Sequence, residues 1–80
     1  MPITAGQPSP TYDRSWADIQ EMLYEAEQRQ KQWIKAFYYA QSDGDKDLMK
    51  DAARNKKALD GVIKTLQWTL GYPGVEHPLD

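Results

Sequence analysis

Apolar residues recur every three or four positions along two long stretches of this chain, a spacing typical of amphipathic α-helices. The first apolar seam consists of Trp16, Ile19, Leu23, Ala26, Gln30, Trp33, Phe37 and Ala40, with Gln30 as its polar interruption. The second apolar seam consists of Leu48, Ala52, Leu59, Val62, Leu66 and Leu70. The pattern therefore predicts one helix over about residues 15–42 and a second over about residues 45–70.

Local signals set the ends of the first predicted helix. Ser15 supplies an N-cap hydroxyl and Asp18 a carboxylate three residues later, a variant of the capping box. Gly44 breaks the chain after the first helix, and Asp43 or Asp45 can cap the second one. A connection this short makes consecutive helices antiparallel neighbours.

The predicted fold class is therefore all-α, a long antiparallel two-helix hairpin over residues 14–71. Gly71 with Pro73 just beyond it is a strong helix stop. Residues 1–13 contain three of the five prolines and are expected to form an extended or disordered arm. Residues 72–80 form a short C-terminal tail, which is either loose or laid back over the hairpin.

The polar interruption gives a register for the two helices. Folding the sequence about the loop brings Gln30 level with Asn55 and Lys56, the polar residues on the seam of the second helix. A buried polar layer there would fix the pairing at some cost in stability.

Composition narrows the classes of function. The chain has 80 residues, no cysteine, one histidine and a net charge of −2, so we expect one small, marginally stable domain without disulfides or thiolate metal sites. No apolar run approaches the roughly 20 residues of a membrane span, and the N-terminus is unlike a signal peptide. A soluble, cytoplasmic protein without membrane contact is the expectation.

Catalytic and metal chemistry find little support in the sequence. Residues 43–47 alternate carboxylates as a calcium loop does, but Leu48 stands where such a loop needs glycine and Arg54 where it needs glutamate. A turn with a helix cap explains the segment better. Carboxylate pairs such as Glu21 and Glu25 interleave with cations on predicted solvent faces. We expect no enzymatic activity, no metal and no cofactor.

A basic stripe lies opposite the apolar seam of the second helix. It consists of Lys46, Lys50, Arg54, Lys57, Gly61, Lys64 and Trp68. Cations beside an aromatic platform can hold phosphates and stack a base, so Lys50, Arg54, Lys57, Lys64 and Trp68 are the candidate ligand-binding or partner-binding residues. The alternative is an ordinary solvated face. A Trp68 covered by the tail or by a neighbouring chain favours this alternative, and a Trp68 free beside Lys64 favours a ligand.

Aromatic residues are the other surplus. A two-helix hairpin has one internal interface, which cannot also cover the flanking residues Tyr24, Ile34, Tyr38 and Tyr72. Tyrosine and tryptophan are enriched at protein interfaces, so these four are the predicted oligomer interface of a four-helix bundle or a larger ring. The alternative is that the arm and the tail cover these rings within one chain.

Together these observations predict a small, non-catalytic helical interaction protein, a homo-oligomer that has a structural or regulatory role of adaptor or inhibitor type and binds a protein partner. The alternative is a binding module for nucleic acid or an anionic nucleotide-like ligand on the basic stripe. In overall make-up the chain resembles many small phage-encoded accessory proteins, and it carries no motif that names a family.

Overall fold

The structure, a computed structural model, describes residues 14–80. It contains two helices that pack against each other, α1 (Trp16–Asp43) and α2 (Lys46–Thr69), and no strand within the described range. The predicted all-α class and two-helix hairpin are confirmed, and each helix end lies within one residue of the predicted one. The arm predicted over residues 1–13 lies outside the described residues.

The start of α1 is the predicted capping box. The Ser15 Oγ accepts a hydrogen bond of 3.1 Å from the Asp18 backbone N–H, and the Ser15 N–H donates to the Asp18 carboxylate at 3.2 Å. Two backbone donors that the first turn would leave unpaired are therefore satisfied by residues only three positions apart.

The loop between the helices depends on Gly44 and Asp45. Gly44 has φ +74°, a left-handed conformation that favours glycine. The next N–H, that of Asp45, donates back to the Ala40 carbonyl at 2.9 Å. The Asp45 carboxylate then accepts from the Leu48 N–H at 3.1 Å. Of the two predicted candidates, Asp45 is the residue that caps α2.

Helix α2 ends where the stop was predicted. Gly71 has φ +77°, and the Tyr72 N–H donates to the Gln67 carbonyl at 2.9 Å. The remaining residues form turns and irregular structure rather than a third helix.

The core of the hairpin is thin. In the described range the buried hydrophobic residues are Leu23, Ala26, Ala40 and Ala52, and none of the larger side chains is fully buried. Most other seam residues are half-buried. Trp16 is 63% exposed, contrary to its predicted place on the first apolar seam, because α2 ends at Thr69 and the chain turns away there.

The polar register is confirmed in part. The Gln30 side-chain amide donates to the Lys56 carbonyl at 3.4 Å and also to the Asp60 carboxylate, so Gln30 does lie level with this turn of α2. Asn55 does not take part, since its amide donates to the Asp51 carbonyl of its own helix at 2.8 Å. The layer is also not buried, because a single pair of helices leaves both flanks of its seam open to water.

Candidate functional site

The basic stripe is solvent-accessible along α2. Lys50, Arg54 and Lys57 are exposed and Lys64 is half-buried. Within residues 14–80 the ion pair found is Lys56 with Asp60 at 3.3 Å, so these four cations have no carboxylate partner in the described chain. Their ammonium and guanidinium groups are available to an anion or to another protein.

Trp68 is only partly covered by the rest of the chain. Its side chain is 45% exposed, and the His77 imidazole packs against it edge to face, with ring centroids 4.9 Å apart and planes at 66°. The His77 Nδ1 accepts a hydrogen bond of 3.1 Å from the Leu79 N–H, and the His77 carbonyl accepts one of 3.0 Å from the Asp80 N–H. The tail is therefore laid back onto the end of α2 and occupies part of the indole surface that a stacked base would need.

Gly61 does not mark a close approach inside the hairpin. A Cβ built on it would meet no atom within 4 Å. It lies in a shallow apolar groove beside Met22, Leu66 and Pro78, so the tail also reaches this side of α2.

Two of the predicted interface residues lie together on the other side of the seam. Ile34 and Tyr38 line an open groove of about 520 Å³, together with Phe37, Ala52, Ala53, Lys56, Lys57 and Asp60. We call this the Tyr38 groove. Tyr38 is 62% exposed and Ile34 half-buried.

The other two predicted interface residues lie apart from the groove. Tyr24 is 64% exposed and, by helical periodicity, lies on the same side of α1 as Tyr38 but nearer the free end of the hairpin. Tyr72 is 46% exposed and follows the end of α2, so the structure does not bring it together with Ile34 and Tyr38.

The structure adds one feature that the sequence analysis did not use, an uneven distribution of charge along the hairpin. The loop half, residues 29–57, carries eight cationic and four anionic side chains, a formal charge of +4. The free-end half, residues 14–28 and 58–80, carries two cationic and seven anionic side chains, a formal charge of −5. The signal was present in the sequence, but the near-neutral total concealed it until the two helices were paired.

Three residues that were not among the predicted site residues also lie at these surfaces. They are Lys56, Asp60 and His77. Lys56 and Asp60 lie at the edge of the Tyr38 groove, and periodicity alone had placed Lys56 on the polar seam. The contact of His77 with Trp68 crosses the helix stop and a proline, where no periodic signal exists.

In the part of the chain that the structure describes, no three potential metal-ligating side chains lie together. The helices within residues 14–80 include none that is long and apolar enough to cross a membrane. Comparison of the chain with protein-family models, curated proteins and solved structures found no match.

Proposed function

We propose that this chain is a non-catalytic interaction protein whose hairpin, with its helices running antiparallel, associates with further copies of itself into a helical bundle. In that form it serves as a structural or regulatory component and binds a protein partner through its helix faces. It needs no cofactor for this role.

The thin core carries the proposal. The buried hydrophobic residues of the described chain are one leucine and three alanines, which is little apolar burial for a domain of this size. Exposed rings lie on α1 at Tyr24 and Tyr38 and just after α2 at Tyr72. A second layer of helices would remove these rings from water, and each aromatic side chain can bury roughly 150 to 250 Å². The contacts of Gln30 with Lys56 and Asp60 support the antiparallel arrangement.

The test is the mass of the protein in solution. Light scattering coupled to size-exclusion chromatography at micromolar concentration should give a mass at least twice the 9.2 kDa of one chain. A compact monomer that persists at every concentration tested would contradict the proposal. Native mass spectrometry of protein purified from its own source would report a bound partner in the same experiment.

A second candidate function is binding of an anionic ligand, such as a single-stranded nucleic acid, along the basic stripe. It is favoured by Lys50, Arg54 and Lys57, which are exposed and have no ion-pair partner in residues 14–80. The partial cover of Trp68 by His77 and the net negative charge weigh against it.

The second candidate can be tested with Lys50→Glu/Lys64→Glu, since neither residue lines the Tyr38 groove. If the stripe holds the anion, this variant should lose salt-sensitive binding of a fluorescent oligonucleotide. Lys31→Glu/Lys35→Glu, the same charge change on α1, is the matched control. Equal binding by all three proteins would exclude the stripe.

A further inference from the structure

We propose that the Tyr38 groove is the surface on which a second copy of this chain docks, related by a two-fold axis that sets the loop end of one hairpin against the free end of the other. The inference rests on the proposed function, because it names the face and the orientation of the association proposed above.

The Tyr38 groove lies on the flank of the seam that the tail residues 72–80 do not line, whereas Pro78 lines the other flank. It is lined by apolar side chains of both helices, Ile34, Phe37 and Tyr38 from α1 and Ala52 and Ala53 from α2, and no residue of the tail reaches it. A flank formed by small residues on one helix and large ones on the other leaves room for a neighbouring helix to pack closely.

The opposite flank is already partly occupied. Pro78 of the tail lies there beside Met22 and Leu66. Farther along the same flank, the groove around Ile19 and Met22 is lined by three carboxylates and one cation, Asp18, Glu21, Glu25 and Arg14. A partner on this side would have to displace the tail and bring its own atoms close to several carboxylates.

Charge sets the orientation. The loop half carries +4 and the free-end half −5, so the two ends of each hairpin have opposite sign. If two hairpins lie side by side with their loops together, halves of like sign face each other. If the loop of one lies beside the free end of the other, halves of opposite sign face each other. Complementary potentials favour the second arrangement and oppose the first.

A second copy supplies what the groove lacks. The rim of the Tyr38 groove contains Lys56 and Lys57, and the free-end half of the same chain, with its formal charge of −5, carries an exposed aromatic residue, Tyr24, on the matching side of α1. A two-fold axis near the middle of the hairpin brings Tyr24 of each copy over the groove of the other. The contact is then isologous, with each surface used twice.

The face is tested with two adjacent tyrosines. Tyr38 is 62% and Tyr39 68% exposed, but Tyr38 lines the groove, whereas Tyr39 is turned about 100° further around α1. Tyr38→Glu should raise the Kd of self-association, measured by sedimentation equilibrium, by about tenfold or more, and Tyr39→Glu should leave it within about twofold. The reverse ranking, or equal effects of the two variants, would overturn the choice of face.

The orientation is tested with spin labels, since the chain contains no cysteine to interfere. Ala17 and Ser42 are both exposed positions at opposite ends of α1, so Ala17→Cys and Ser42→Cys place labels 25 positions apart along the helix, about 37 Å. In the two-fold arrangement the label-to-label distances of the two variants should add to about 75 Å wherever the axis crosses the hairpin. With the loops together, both distances should fall below about 20 Å.

These measurements distinguish a failure of the proposed orientation from a failure of self-association itself. Two short distances in an associated protein would overturn the proposed orientation and leave self-association standing. A monomeric mass together with no dipolar coupling between labels would overturn both. Circular dichroism of each variant at the labelling concentration verifies that its helices are intact.

Discussion

A methyl group added at Gly44 or at Gly61 would have opposite effects, because the backbone conformations of the two glycines differ. A Cβ on either residue would meet no atom within 4 Å, so there is room for a side chain at both positions. The two differ in backbone conformation, because Gly44 has φ +74° whereas Gly61 lies inside α2. An L side chain is strained at the first position and favours the helix at the second.

We therefore predict opposite effects of the same substitution. Gly61→Ala should raise the free energy of unfolding by about 0.5–1 kcal/mol, and Gly44→Ala should lower it by about 1 kcal/mol. Thermal and urea denaturation, followed by circular dichroism at one fixed protein concentration, would measure both, since association also contributes to stability. A destabilising Gly61→Ala would indicate that another chain approaches the flank opposite the Tyr38 groove.

The hydrogen bonds of individual side chains could be predicted from the sequence where both partners lie within a few residues of each other. Ser15 and Asp18 are three positions apart and satisfy each other's backbone groups whatever the rest of the chain does. Asn55 takes no part in the polar layer, because its amide donates to the carbonyl of Asp51 in its own helix. Competition between a local and a distant hydrogen bond cannot be resolved from spacing alone.

At the scale of elements, the C-terminal tail folds back and packs against the end of α2. The chain turns at Gly71, and the His77 imidazole then packs against Trp68. Pro78 reaches the apolar groove beside Met22. These contacts hold the tail on the flank opposite the Tyr38 groove.

We predict that His77→Ala detaches the tail without unfolding the helices. The substitution removes the ring contact with Trp68 and the acceptor for the Leu79 N–H. With 5-fluorotryptophan in place of the three tryptophans, one ¹⁹F resonance should shift toward its solvent-exposed position while the other two stay.

Trp68→Phe assigns the resonance, and far-ultraviolet circular dichroism verifies the helix content. If the Trp68 resonance of His77→Ala stays at its original position, the tail does not dock on α2. The sequence left this point open between a loose tail and a docked one. Periodicity predicts the helices because their contacts repeat, whereas a single contact across Pro73 and Gly74 leaves no repeat to detect.

At the scale of the molecule, the hairpin is a single layer of helices with oppositely charged ends. The single layer was predictable, since two seams and one short loop allow no other compact arrangement. The candidate interface was predictable only in part. Ile34 and Tyr38 were found from their flanking positions, but Lys56 and Asp60 join them through the pairing of the two helices.

The charge asymmetry makes the response to salt a report on orientation. If the basic half of one copy faces the acidic half of the other, raising sodium chloride from about 50 mM to about 500 mM shortens the Debye length and weakens the attraction. We predict that the Kd of self-association, measured by sedimentation equilibrium, rises roughly fivefold, equivalent to about 1 kcal/mol.

Two hairpins with their loops together would respond in the opposite sense, because salt would then screen a repulsion and the Kd would fall. Lys31→Gln/Lys35→Gln provides the control, since it lowers the charge of the loop half from +4 to +2 while Lys56 and Lys57 of the groove are kept. This variant should associate more weakly at low salt and depend less on salt than the parent chain. An equal slope for the two proteins would mean that apolar contact alone sets how the copies meet.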